Sequence, residues 1–272
     1  MRCGVPGRRH LHTGLGPHRR VSASSNTAET DPVDWEGHPV SCRDCPHELI
    51  RAEERCDLGR ICVRDRRARR IDRFFAQNPK EADNYLDHPY FEARVLAAKY
   101  ASIFLLPRLL HDPEPDVRAM VAHRLPANRV LELRQDPDRK VRMVVTQRVE
   151  GEALVSMFHD PDYWIRVVAA RRVTPDVLPI AINDKDPQVR REVARRIKPE
   201  FLPGMMRDAD SLVRVTVAER LEPAQLTPLV DDEDLRVRFA VAERGTPKAL
   251  SKLIDDPDPE VRRIARERYE QT

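Results

Sequence analysis

Glycine is scarce in this chain, nine residues in 272, and aromatic residues make up only 5%. The shortage of glycine argues against a glycine-rich phosphate loop and against an all-β fold built on tight hairpins, since both need residues free to take positive φ. No apolar run nears the roughly 20 residues that cross a bilayer. An excess of one charge is missing too: 48 Lys and Arg stand against 45 Asp and Glu, a net +3. Neither a Ser-His-Asp order nor a paired His-Glu metal motif appears, and His123 and His159 stand alone, as expected of surface residues; no enzyme is expected. Cysteine is absent after Cys62.

What the chain has instead is charge, 34% of its residues, and 23 prolines. Such a composition suits disorder, or a repeat protein in which every unit adds surface and no large central core exists. Residues 1–36 lack any apolar period and read as a disordered basic arm. Its first 28 residues hold five arginines (Arg2, Arg8, Arg9, Arg19, Arg20) and no acid. That bias also suits a transit-like segment, but there is no apolar stretch of a secretory signal. Cys3 sits alone there.

Four cysteines, Cys42, Cys45, Cys56 and Cys62, crowd into residues 37–63 with the spacing C-x2-C-x10-C-x5-C. Four thiolates converging on one point can hold zinc or an iron–sulfur cluster. Two disulfides compete, yet nothing here supports an oxidising compartment. The wide second pair is a poor zinc knuckle, and Pro46 follows Cys45 as proline follows a ferredoxin ligand, so iron–sulfur leads and zinc stays open. His38 and His47 are alternative ligands, read more plainly as exposed loop histidines. The basic run from Arg64 to Arg73 could serve the cysteine region or an acidic partner, or simply be a solvated helix face.

Residues 64–272 repeat. From Asp112 the chain reads DPEPDVRAMVAHRLPANRVLELRQ, then DPDRKVRMVVTQRVEGEALVSMFH, and the 24-residue unit recurs from Asp160, Asp184, Asp208 and Asp232. Counting a degenerate unit from His88, seven full units span 88–255, with a half unit at 256–272. A fixed period of this kind signals a solenoid. Asp at position 3, often followed by Pro, is a helix start. Apolar residues at positions 6, 10 and 14, such as Val117, Val121 and Leu125, line one helix face. Proline at position 16 (Pro175, Pro199, Pro223, Pro247) ends the helix. Apolar residues at positions 19 and 22 fit a 3₁₀ turn, whose i and i+3 side chains eclipse. Each unit should therefore be an α-helix of about 11 residues and a short 3₁₀ segment.

Arginine fills position 7 in eight units, from Arg94 to Arg262, and position 13 in seven, from Arg124 to Arg268. Position 7 falls beside the apolar face, so its charge needs a partner. The Asp at positions 1 and 3 are the expected ones, with Asp138 and Arg142 an i, i+4 pair. A phosphate-binding stripe is the competing reading, but acids recur at the same pitch and would neutralise it. A salt-bridge ladder between stacked units is expected.

The pattern D-x-D-x-x-V-R-x-x-V-A-x-R-L-x-P-x-x-L-x-x-L, with the four cysteines before it, resembles the leucine-rich repeat variant family from Cys42 to Thr272. The resemblance implies an all-α, right-handed solenoid of alternating α- and 3₁₀-helices. It also implies a small N-terminal domain whose [4Fe–4S] cluster is held by Cys42, Cys45, Cys56 and Cys62. Proline at position 16 rather than 15 departs slightly from the family pattern. The family's prototype is associated with bacterial nitrogen-fixation genes. The expected function is a cytoplasmic, non-enzymatic scaffold that binds a protein partner and responds to redox state or oxygen. Electron transfer and nucleic-acid binding are the alternatives, and no membrane contact is expected.

Overall fold

The computed structural model describes residues 31–43 and 45–272. Its helices follow the repeat. In chain order they are α1 (Glu48–Ala52), α2 (Ala68–Gln77), α3 (Phe91–Tyr100), α4 (Pro115–Arg124), α5 (Arg139–Thr146), α6 (Gly151–Ser156), α7 (Tyr163–Arg172), α8 (Pro187–Arg196), α9 (Ser211–Ala218), α10 (Leu235–Arg244), α11 (Pro247–Leu253) and α12 (Pro259–Glu270). Among the described residues there is no strand beyond two isolated bridges, and no helix is long and apolar enough to cross a membrane.

The reason for each helix start is visible at position 3. Asp138 accepts the Lys140 N–H at 2.7 Å, and Asp162, Asp186, Asp210, Asp234 and Asp258 cap their helices in the same way. These side chains satisfy N–H groups that the helix itself leaves free. Positions 6 and 10 are fully buried in unit after unit, as Val117 and Val121, Val189 and Val193, or Val213 and Val217 show. Beyond the helix, positions 19 and 22 return to the same core, Leu202 and Met205 for example. Each such Val or Leu contributes about 1.5–3 kcal/mol by leaving water. Neighbouring units stack helix on helix, so the core is one continuous column.

Two units depart from the expected 3₁₀ segment, the first only in part, since it ends in 3₁₀ geometry at Met157–His159. Residues 151–156 and 247–253 form the α-helical turns α6 and α11. The units with 3₁₀ segments at 106–109, 178–181 and 199–205 carry a second proline, Pro107, Pro179 or Pro203, where an α-helix would need an N–H. Val155 and Ser251 occupy that position in the two exceptions, but so does Leu131 in a unit that stays 3₁₀ over Ala127–Arg129 and Leu131–Gln135, so the proline favours the 3₁₀ form without deciding it alone.

Both arginine rows bind between units, in opposite directions. At position 7, Arg118 reaches forward: Nε and Nη2 donate to both carboxylate oxygens of Asp136 at 2.7 and 2.8 Å, while Nη1 donates to the Asp112 carbonyl at 2.7 Å. Seven such pairs run from Arg94–Asp112 to Arg238–Asp256, all with Nε contacts of 2.7–2.8 Å. The carboxylate therefore belongs to position 1 of the following unit. The expected Asp138–Arg142 pair is not formed, because Asp138 is occupied as a cap and Arg142 turns to Asp160. At position 13 the arginine reaches backward and meets no carboxylate. Arg220 donates to the carbonyls of Ala194 and Ile197, and Arg172 to those of Thr146 and Val149. These carbonyls are the orphan acceptors at the end of the preceding helix. The expected salt-bridge ladder is thus one ion-pair ladder and one capping ladder.

At the other end, residues 31–40 fold as a turn closed by the Val33–Pro39 bridge. The expected boundary of the arm at residue 36 falls inside this turn, since Trp35 packs on His88 and Tyr90 and the Arg66 N–H donates to Val33. The arm reading for residues 1–30 lies outside the described residues.

Candidate functional site

Two tight turns present the four cysteines. Cys42 and Cys45 share one, in which the Cys45 N–H donates to the Cys42 carbonyl at 3.4 Å, and both remain half-buried. Cys56 and Cys62 flank the other. Asp57 and Ile61 exchange both backbone hydrogen bonds, at 2.8 and 2.7 Å, around Gly59, whose φ of +83° suits a residue without Cβ. The next residues outward, Cys56 and Cys62, consequently stand opposite one another. Both are buried.

All four thiols are free of disulfides. Burial pushes the Cys56 thiol up to about 12, and the neighbouring Cys62, Cys45 and Cys42 push it the same way. The other three sulfurs thus oppose the ionisation of Cys56, the condition that a shared cation relieves. Burial also raises Cys62, against two backbone N–H groups, those of Arg64 and Asp65, that hydrogen-bond its sulfur and favour the thiolate. Sulfur donors from two turns, unoxidised and partly shielded, with N–H groups aimed at one of them, fit a thiolate-bound metal centre.

The two histidines separate. His38 is exposed, as expected, and lies 3.5 Å from both Asp34 and Glu36. His47 is not an exposed loop residue: it is 7% accessible, its Nε2 lies 2.6 Å from the Tyr85 hydroxyl, and its ring packs on Phe74. Burial lowers its pKa, with Glu81 opposing and Arg64 reinforcing the shift. A neutral ring committed to Tyr85 is part of the wall, not a spare ligand.

That wall was missed from the sequence. Tyr85 stacks on His47 and His88, meets Phe75 edge-on, and His88 in turn meets Trp35. Burial raises the Tyr85 phenol, and the Cys45, Glu81 and Cys62 charges add to the shift. The one available signal was composition: a chain poor in aromatics spends Trp35, Phe74, Phe75, Tyr85, Tyr90, Phe91 and Tyr100 near its cysteines.

The basic run divides by task. Arg64 donates to the Ser41 carbonyl at 3.2 Å and Arg70 is buried with Asp65 at 2.5 Å, whereas Arg66, Arg69 and Arg73 are exposed. His123 and His159 lie apart on the repeats. The carboxylates near His159, Asp136 and Asp160, are already held by Arg118 and Arg142.

Comparison with known proteins bears on both regions. Residues 32–84, which contain all four clustered cysteines, match the family model described as the LRV protein FeS4 cluster. An uncharacterised 27.7 kDa protein in the nifB 3' region of Rhodobacter capsulatus is 50% identical over 97 residues, 36% of this chain and 40% of that protein. The match thus spans less than half of that relative. A solved structure described as a leucine-rich repeat variant with a novel repetitive structural motif superposes with a TM-score of 0.80 at 39% identity, over 84% of this chain and 98% of the other.

Proposed function

The chain belongs to the leucine-rich repeat variant family, and on that premise we propose that it is a non-enzymatic scaffold whose cysteine domain carries a [4Fe–4S] cluster and whose repeats bind a protein partner. Cys42, Cys45, Cys56 and Cys62 would hold the cluster, one thiolate to each iron. When bound, the cluster supplies one-electron redox chemistry. The chain's own groups set the conditions. Backbone N–H groups of Arg64 and Asp65 draw charge from the Cys62 sulfur, which favours the reduced state. Cys56 and Cys62 are buried while Cys42 and Cys45 are half-exposed, so the Cys42–Cys45 edge of a bound cluster would be the more open to solvent. The observation that carries this reading is four free thiols on two facing turns within a segment matching an FeS4 model. Anaerobic purification with iron, sulfide and zinc analysis and a visible spectrum tests it; zinc without sulfide overturns it.

A response to redox state or oxygen follows if loss of the cluster changes what the repeats bind. Pull-downs with and without the cluster decide this, and identical partner sets would sink the response while leaving the scaffold. The location of the Rhodobacter relative supports a link to nitrogen fixation. Free thiols suit a cytoplasmic location. Electron transfer is the second reading, favoured by the half-exposed Cys42 and Cys45; a cluster inert to dithionite counts against it. Nucleic-acid binding through the repeats is weakened by the position-7 arginines, which are consumed by Asp.

A further inference from the structure

Positions 6, 7, 10, 13 and 14 of each unit turn inward, which leaves 5, 8 and 12 on the outer face of the helix layer. Down position 12 the charge changes sign once. Arg171 and Arg195 stand on α7 and α8, whereas Glu219 and Glu243 follow at the end of α9 and on α10. Both glutamates are exposed and neither makes an ion pair among the described residues. The two arginines are about half exposed and share a single acid, Glu192. Position 5 follows no such rule, with Asp116 on α4 and Arg236 on α10, but it sets Lys140 on α5, paired with Asp116, and Glu260 on α12, paired with Arg263, at equal distances from the change of sign.

This pattern is its own complement. Place a twofold axis parallel to the helices, between α8 and α9, and lay the outer face on that of a second copy. The unit order reverses while the repeat positions stay in register. α8 then meets α9 of the second copy, α7 meets α10, and α5 meets α12. Arg195 faces Glu219, Arg171 faces Glu243 and Lys140 faces Glu260, each pair occurring twice by symmetry. Trp164 faces Arg236, and the half-buried Phe239 faces α7 at the position of Val167, which is itself buried. Tyr163 and Leu235, 39% and 49% exposed, also fall on facing helices. In the rows at positions 5, 8 and 12 no like charges oppose one another.

We propose that this face joins two copies of the chain as a twofold dimer, centred between α8 and α9, with the cysteine domains at its two far ends. Unmatched acids on one half and surplus bases on the other half of a single face are what an isologous interface requires.

Sedimentation equilibrium of the full chain tests it over a range of concentration and salt. A dimer that weakens as salt rises is expected. Arg171→Glu with Arg195→Glu in one variant, and Glu219→Arg with Glu243→Arg in another, should each weaken the dimer by roughly a hundredfold or more, since like charges then face each other. An equimolar mixture of the two variants should restore a mixed dimer, because every reversed charge again meets its opposite. All four substitutions are exposed, and unchanged melting and iron content would show that each variant is folded. A wild-type chain that stays monomeric at every concentration overturns the proposal. So do variants that dimerise like wild type, or folded variants whose mixture remains monomeric.

Discussion

Among the described residues between Cys42 and Val63 the regular backbone hydrogen bonding amounts to one five-residue helix and a single bridge at Asp57–Ile61. From Asp136 onward, by contrast, unit after unit brings its own cap, its buried apolar residues and its arginine clamps. The first region concentrates its special chemistry on four cysteines carried by two turns. The second spreads its cohesion over many equivalent seams. The difference teaches where damage should be absolute and where it should be graded, and it can be broken or sharpened by measurement.

The largest effect is expected at the sulfurs. Cys56→Ser should abolish bound iron and sulfide and unfold the cysteine region, while the repeats keep a transition close to wild type. Retention of iron would break the contrast. Next is Arg166→Ala. Arg166 and Asp184 are 3% and 9% accessible, so the substitution strands a buried carboxylate and should cost about 3–5 kcal/mol in urea unfolding. Arg196→Ala should cost less, about 1–3 kcal/mol, because it removes hydrogen bonds to the carbonyls of Ala170 and Val173 but leaves no charge behind.

Acid should act on the same ladder more gently. Burial pushes the carboxyls of Asp136, Asp208 and Asp256 up, but the paired arginine and the position-3 N–H outweigh it and hold all three below the usual carboxylate range. Their folded pKa lies below the unfolded one. The stability they add is therefore complete above the ordinary Asp value of about 3.9 and is lost as pH falls through the lowered values. Urea unfolding over that interval should show the loss, and Arg190→Ala should flatten it. At the bottom of the scale, Lys198→Ala removes an exposed pair with Asp176 and should leave stability unchanged.

Much of the stack was legible because burial itself is periodic. Val117, Val121 and Leu125 announce one face by spacing alone, and all are buried. The four cysteines were legible by segregation. What escaped was everything that depends on how one unit sits above another. A helical wheel gives the angle of Arg142 but not the vertical reach that carries it 18 residues forward to Asp160. The carbonyl targets of Arg220 escaped for a different reason, since every residue has a carbonyl and none is marked in the sequence. His47 and Tyr85 meet across 38 residues with no period to foretell it. The α-turns at 151–156 and 247–253 are a local detail beneath the repeat average.

The opposed reach of the two arginine rows bears on how such a chain can evolve. Each unit offers an aspartate to the unit before it and helix-end carbonyls to the unit after it, so any unit can follow any other. Unequal crossing-over within the gene would add or delete whole units and still yield seams that close. The cysteine domain has no such freedom. Its seam to the repeats is made by Trp35, Tyr85, His88 and Tyr90, a joint written once, which ties one sulfur site to a stack of variable length.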